Sequence, residues 1–83
     1  MKVTVRYFAS IREALGTGSE VLETGAQTLG QLRAELMGRS PAHTQALAPD
    51  RAVRMALNQS LCDATAPVAD GAEVAFFPPV TGG

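Results

Sequence analysis

Apolar and polar positions alternate from the start of the chain: Val3, Val5 and Tyr7 interleave with Thr4, Arg6 and Phe8. A period of two, rich in β-branched and aromatic residues, predicts a strand. Ser10-Ile11-Arg12-Glu13 has the form of a capping box with Ser10 as N-cap, and Gly16-Thr17-Gly18 confines the helix it starts to a short turn. Ser19 to Thr24 predicts a second strand, antiparallel to the first. Thr28-Leu29-Gly30-Gln31 repeats the capping pattern. Leu29, Leu32, Leu36 and Met37 then recur at helical spacing, Arg33 and Glu35 turn away, and Gly38 stands where a helix ends. This is the main helix. Ser40-Pro41 can cap a short helix through Leu47, which Pro49-Asp50 breaks. Val53, Met55 and Leu57 alternate with Arg54, Ala56 and Asn58 as a third strand, and Ser60-Leu61-Cys62 forms a short fourth. Asp70-Gly71 is a turn signal. Glu73 to Phe77 is the last strand, ended by Pro78-Pro79, neither of which can donate to a ladder.

The order reads β-β-α-β-β-β, an α+β chain. A single amphipathic helix covers one face of a sheet and leaves the other open. A mixed sheet wrapped around one main helix is the β-grasp (ubiquitin-like) arrangement, here with a domain over residues 1–77 and an extended tail over 78–83. Parity assigns the faces: Val3, Val5, Tyr7, Val74 and Phe76 belong to the core, and Thr4, Arg6, Phe8, Glu73, Ala75 and Phe77 to the opposite side. Phe8 and Phe77 therefore stand on the solvent side, where Leu61 can join them after a bend. Two readings are open: the short helical segments fold over these residues, or they form a hydrophobic docking patch.

Composition narrows the function. The chain has 83 residues, enough for one core only. Seven basic and eight acidic residues give a net charge of −1 without a basic run, which argues against nucleic acid. The apolar runs are too short to span a membrane, and the alternating N-terminus lacks the continuous apolar stretch of a signal peptide. The lone Cys62 leaves no internal disulfide, so the expectation is a soluble, cytoplasmic protein.

The tail carries the candidate chemistry. Pro78-Pro79 favours an extended conformation, so Pro78 to Gly83 could reach about 18 Å from the fold. Gly82 and Gly83 have no side chains and can pass through a channel that excludes other residues. An unhindered α-carboxylate at Gly83 would be a poor acyl donor until activated, and adenylation by ATP is the usual route. The acyl-adenylate is then open to a sulfur, oxygen or nitrogen nucleophile.

Asn58–Cys62 (NQSLC), Asp70–Gly83 (DGAEVAFFPPVTGG) and Tyr7–Glu13 (YFASIRE) resemble the MoaD-type sulfur carriers, the small subunits of molybdopterin synthase. The resemblance covers both ends and the third strand, and is least distinctive from about Gly38 to Arg51. It implies a β-grasp fold and a Gly83 that a MoeB-type enzyme adenylates with ATP and that a sulfur donor system converts to a thiocarboxylate. The tail would enter a MoaE-type large subunit, with Thr81 and Gly82 filling its channel. Gly83 would there deliver sulfur to cyclic pyranopterin monophosphate, two transfers building the dithiolene that binds molybdenum. Phe8, Leu61 and Phe77 match hydrophobic docking positions, and Arg12 matches an arginine near the interface. A heterotetramer of two small and two large subunits follows from the same resemblance.

The remaining candidates read as structure. Cys62 has no nearby histidine in sequence and is expected to pack. His43 lies in a polar segment without a second ligand at metal spacing, so it is expected to be solvated. Asp70 with Glu73 is explained by a turn. Arg33, Arg39, Arg51 and Arg54 are expected to be solvated, some of them available to an acidic partner. Gly16-Thr17-Gly18 lacks the lysine and length of a phosphate loop, so no bound cofactor or metal and no catalysis by this chain alone are expected. The rival readings are a thiamine-pathway sulfur carrier, which the proline-rich approach to the glycines disfavours, a ubiquitin-like protein modifier, and an interaction module with an inert tail.

Overall fold

The computed structural model describes residues 1–79. The chain runs β1 (Lys2–Tyr7), α1 (Ala9–Leu15), β2 (Ser19–Glu23), α2 (Leu29–Met37), α3 (Pro41–Leu47), β3 (Arg54–Leu57), β4 (Ser60–Cys62) and β5 (Glu73–Phe77). The strands form one mixed sheet in the order β2-β1-β5-β3-β4. β1 and β5 pair in parallel at its centre, Val5 beside Val74 and Tyr7 beside Phe76. The other pairs are antiparallel, including the expected β1–β2 pair with Val3 opposite Leu22.

The face assignment from parity holds. Val3, Val5, Tyr7, Val74 and Phe76 are buried to within 1% of their surface, in one cluster with Leu29, Leu32 and Leu36 of α2. Ile11 of α1 and Leu47 of α3 join the same cluster, so all three helices serve the α2 side of the sheet. Tyr7 and Phe76 stack at the centre, their rings 6.3 Å apart and 20° from parallel.

Both short helices exist, each of seven residues, and α1 begins earlier than Ser10. Phe8 still donates its N–H to the Phe76 carbonyl at 3.2 Å, extending the β1–β5 ladder by one residue. The chain leaves the strand at Ala9, whose φ is +51°. Phe8 is then the N-cap, with no capping side chain, and its carbonyl accepts from Ile11 and Arg12. The Ser10 capping box does not form, because Ser10 already lies inside the helix.

The α2 start behaves as its sequence predicts. Thr28 Oγ1 accepts from Gln31 N at 3.2 Å, while Gln31 Oε1 accepts from Gln27 N at 2.8 Å, one residue before the cap. The next two orphan donors are met from outside the helix: Leu29 N reaches the Ala66 carbonyl and Gly30 N the Ala64 carbonyl, at 3.0 and 2.9 Å. The β4–β5 loop therefore lies directly on the helix start. Gly38 follows α2 as expected, in a right-handed conformation at φ −79°.

One α2 side chain departs from its expected solvation. Arg33 is half-buried, and its guanidinium donates to the carbonyls of Leu47 and Ala48, both at 2.7 Å. It closes the C-terminal end of α3, and burial pushes its pKa down. Glu35 is exposed yet accepts from Thr24 Oγ1 across the β2–α2 turn.

Candidate docking face and tail root

The register sets the open face row by row. Arg6, Ala75, Ala56 and Leu61 stand abreast across β1, β5, β3 and β4. Phe77 stands opposite Arg54 in the next row, and Phe8 continues β1 beside it. Small residues at the centre and large ones at the margin make an open groove of about 730 Å³, lined by Phe8, Leu61, Phe77, Pro78 and Pro79 over a floor of Ala56 and Ala75. Phe8 and Leu61 are 44% and 64% exposed and Phe77 is half-buried. The helices pack on the opposite side, and among the described residues none of them folds over these side chains.

One end of the groove is charged. Arg6 lies 3.6 Å from the Glu73 carboxylate and 5.8 Å from the centre of the Phe8 ring. Glu73 thus neutralises Arg6 and takes no part in a carboxylate pair, while Asp70 Oδ1 accepts from Lys2 N at 2.7 Å. Arg12 does not line the groove. It is exposed on α1 and lies against the α1–β2 loop, where a Cβ added to Gly18 would meet Arg12 Nε at 3.2 Å. Val21 of edge strand β2 carries no signal in the sequence that marks it for this face. Its register opposite Thr4 places it there, 62% exposed.

Behind the sheet, the pairing assigns His43 a role that its polar sequence surroundings hid. It is largely buried rather than solvated, with 15% of its side chain exposed. Nε2 lies 3.1 Å from Glu20 Oε2, Nδ1 lies 2.7 Å from Ser40 Oγ, and the ring meets Tyr7 edge-on. A carboxylate only accepts, so in the neutral ring Nε2 donates to Glu20 and Nδ1 accepts from Ser40. The same Glu20 oxygen accepts from the Tyr7 hydroxyl at 2.7 Å, and Arg39 lies 3.6 Å from Oε1. Burial opposes the Glu20 charge, but the hydrogen bonds from Tyr7 and His43 and the Arg39 charge outweigh it, and the carboxyl titrates below its usual range. Burial first, and then the bond to Glu20, push the Tyr7 hydroxyl far above its usual value. The cluster ties β2 to α3 and closes the core edge.

Cys62 is half-buried against the core, as expected of a packing residue. Pro78 and Pro79 follow β5 along the groove. Thr81, Gly82 and Gly83 lie outside the described residues. Among the described residues, no helix is long and apolar enough to cross a membrane.

A mixed five-stranded sheet with its helices on one side and an apolar groove on the other defines a ubiquitin-like β-grasp protein. SAMP1 from Haloferax volcanii shares this fold with a TM-score of 0.83 at 25% identity, covering all of both chains. The ThiS family model matches residues 5–83, and the chain belongs to that family. Within it, the chain is 40% identical over 81 residues to the molybdopterin synthase sulfur carrier subunit of Escherichia coli (strain K12), covering 98% of this chain and 99% of that one. It also matches a chain of the complex of subunits 1 and 2 of the molybdopterin-converting factor from Helicobacter pylori 26695. That match has a TM-score of 0.68 at 30% identity, over the full length of both chains.

Proposed function

We propose that this chain is the sulfur-carrier subunit of a molybdopterin synthase. The observation that carries the reading is the apolar groove of Phe8, Leu61 and Phe77 running into Pro78-Pro79, in a chain 40% identical to such a carrier over nearly its full length. The groove docks the chain on a protein, and the proline pair stiffens the root of the tail. Gly83 is the cargo position. Its carboxylate attacks the α-phosphate of ATP held by a MoeB-type partner, releasing pyrophosphate. Hydrosulfide from a donor system attacks the acyl carbon, displaces AMP and, on losing its proton, leaves a terminal thiocarboxylate. The tail then enters a MoaE-type large subunit, with Thr81 and Gly82 in its channel, and gives its sulfur to cyclic pyranopterin monophosphate. The transfer runs through a thioester joining Gly83 to the substrate, and attack of water on its carbonyl breaks the acyl C–S bond, leaves the sulfur on the substrate and restores the Gly83 carboxylate. In these steps the chain supplies position and an acyl group, and its partners supply the catalytic groups.

The deciding experiment is an intact mass after co-expression with the activating enzyme and a sulfur source. The expected result is a gain equal to sulfur minus oxygen, lost on deletion of Gly83. An unchanged mass, with an active enzyme and a confirmed free Gly83 carboxyl, overturns the reading. A second reading, attachment of Gly83 to lysines of other proteins, is the weaker one, since the likeness to SAMP1 is one of fold. That reading predicts conjugates by mass in the same cells.

A further inference from the structure

The arginines of this chain have unequal fates. Arg6 faces Glu73, Arg39 faces Glu20, and Arg33 is occupied by main-chain carbonyls. Arg12, Arg51 and Arg54 have no carboxylate within salt-bridge distance among the described residues; Arg12 lies on α1 against the α1–β2 loop and away from the groove, which leaves Arg51 and Arg54. Their acidic neighbours do not change this: Asp50 forms no ion pair there, and Asp63 Oδ1 is taken by the N–H and hydroxyl of Thr65, at 2.9 and 2.5 Å. Both arginines are exposed.

Their positions are specific. Arg54 stands on the open face directly opposite Phe77, the last residue of β5. Arg51 lines a second hollow, of about 360 Å³, on the far side of the tail root, between α1 and α3. Pro78 lines both that hollow and the docking groove. Two of the three unneutralised guanidinium groups therefore belong to residues that flank Phe77 and Pro78, the root of the tail, on a molecule whose net charge is −1.

We propose that Arg51 and Arg54 form a basic collar around the tail root that engages carboxylates at the mouth of the channel receiving the tail. This rests on the carrier reading and names the chemistry of the partner's rim. An apolar centre flanked by charge is the usual anatomy of a protein interface. Guanidinium forks match carboxylates in two parallel hydrogen bonds. Two arginines on a net-negative chain are too few to hold a polyanion such as nucleic acid. Rim charges of this kind act mainly on the association rate, and salt screens them.

The test is the association rate of the full chain with the large subunit of molybdopterin synthase from the same organism, at low and high salt. Three forms are compared: the natural chain, Arg51→Glu with Arg54→Glu, and Arg51→Lys with Arg54→Lys. Charge reversal is expected to slow association about tenfold at low salt and much less at high salt, with little change in dissociation. The lysine pair should associate near the natural rate. A reversed chain that keeps its circular dichroism spectrum and associates at the natural rate, with the natural salt dependence, overturns the collar and leaves the carrier reading standing. A natural chain that neither binds the large subunit at any salt nor gains sulfur removes the carrier reading, and the collar with it.

Discussion

Glu20 shows how much one residue can organise. It accepts from Tyr7 and His43 and faces Arg39, so its ionised form holds together groups from β1, β2, α3 and the α2–α3 turn. Its folded pKa lies below the ordinary 4.5, so its contribution is fully present above that value and fades as pH falls through the folded one. Glu20→Gln is expected to cost about 1 kcal/mol at neutral pH, given that the site is partly open to water. The difference from the natural chain should shrink below about pH 4.5. Urea unfolding at several pH values measures both. Tyr7 has the opposite sign: its raised pKa makes the neutral hydroxyl part of the fold, with stability present below 10.0 and lost as pH rises beyond. Phe77 lies at a surface instead. Phe77→Asp should weaken binding to the large subunit by about 2 kcal/mol, as loss of a central interface aromatic does, while the isolated chain stays folded. Calorimetric titration reads the first and a thermal melt the second.

Among the elements, α2 depends most on what lies outside it. A Cβ at Gly30 would stand 3.1 Å from Ala64 Cβ and 3.2 Å from the Ala64 carbonyl oxygen, so the β4–β5 loop would have to give by a few tenths of an ångström to admit one. Gly30→Val is expected to destabilise the chain by about 2 kcal/mol, although valine is a better helix former than glycine. A higher melting temperature for that variant would contradict the packing described. The helix start is legible in sequence through Thr28, since a cap is a local device. The reason for Gly30 is not, because its contact is with a residue 34 positions away. The same division runs through the site. Alternation places Phe8 and Phe77 on the open face, because strand parity depends only on neighbours in sequence. His43 and Arg33 look solvated from their sequence surroundings and are not, because their partners Glu20 and Leu47 are brought in by tertiary packing. Ser10 has the pattern of a cap without the role, because the chain turns at Ala9 directly off the end of the ladder and Phe8 becomes the N-cap two residues earlier.

At the scale of the molecule, the sheet is held at its centre by its most distant strands. β1 and β5 pair Thr4 with Glu73, and β2 hangs on one side while β3 and β4 hang on the other. β5 also supplies the fully buried Val74 and Phe76. A chain ending at Asp70 should therefore fail to fold, despite keeping every helix. Its amide proton spectrum should collapse to the narrow range of an unfolded chain, and a retained cooperative melt would contradict the topology. Long-range pairing of this kind also predicts slower folding than a helical domain of equal size, because the chain must close most of its length before the central ladder forms.

The floor of the apolar groove rests on two methyl groups, those of Ala56 and Ala75. Its depth is therefore set by the smallest side chains that a strand can present, and a larger residue at either position becomes a bump. Such a bump would turn the face into a private lock. A carrier with leucine at position 75 should be refused by its natural partner and accepted by one whose opposing side chain has been trimmed. Two sulfur-relay pairs built this way could work side by side in one cell without exchanging cargo.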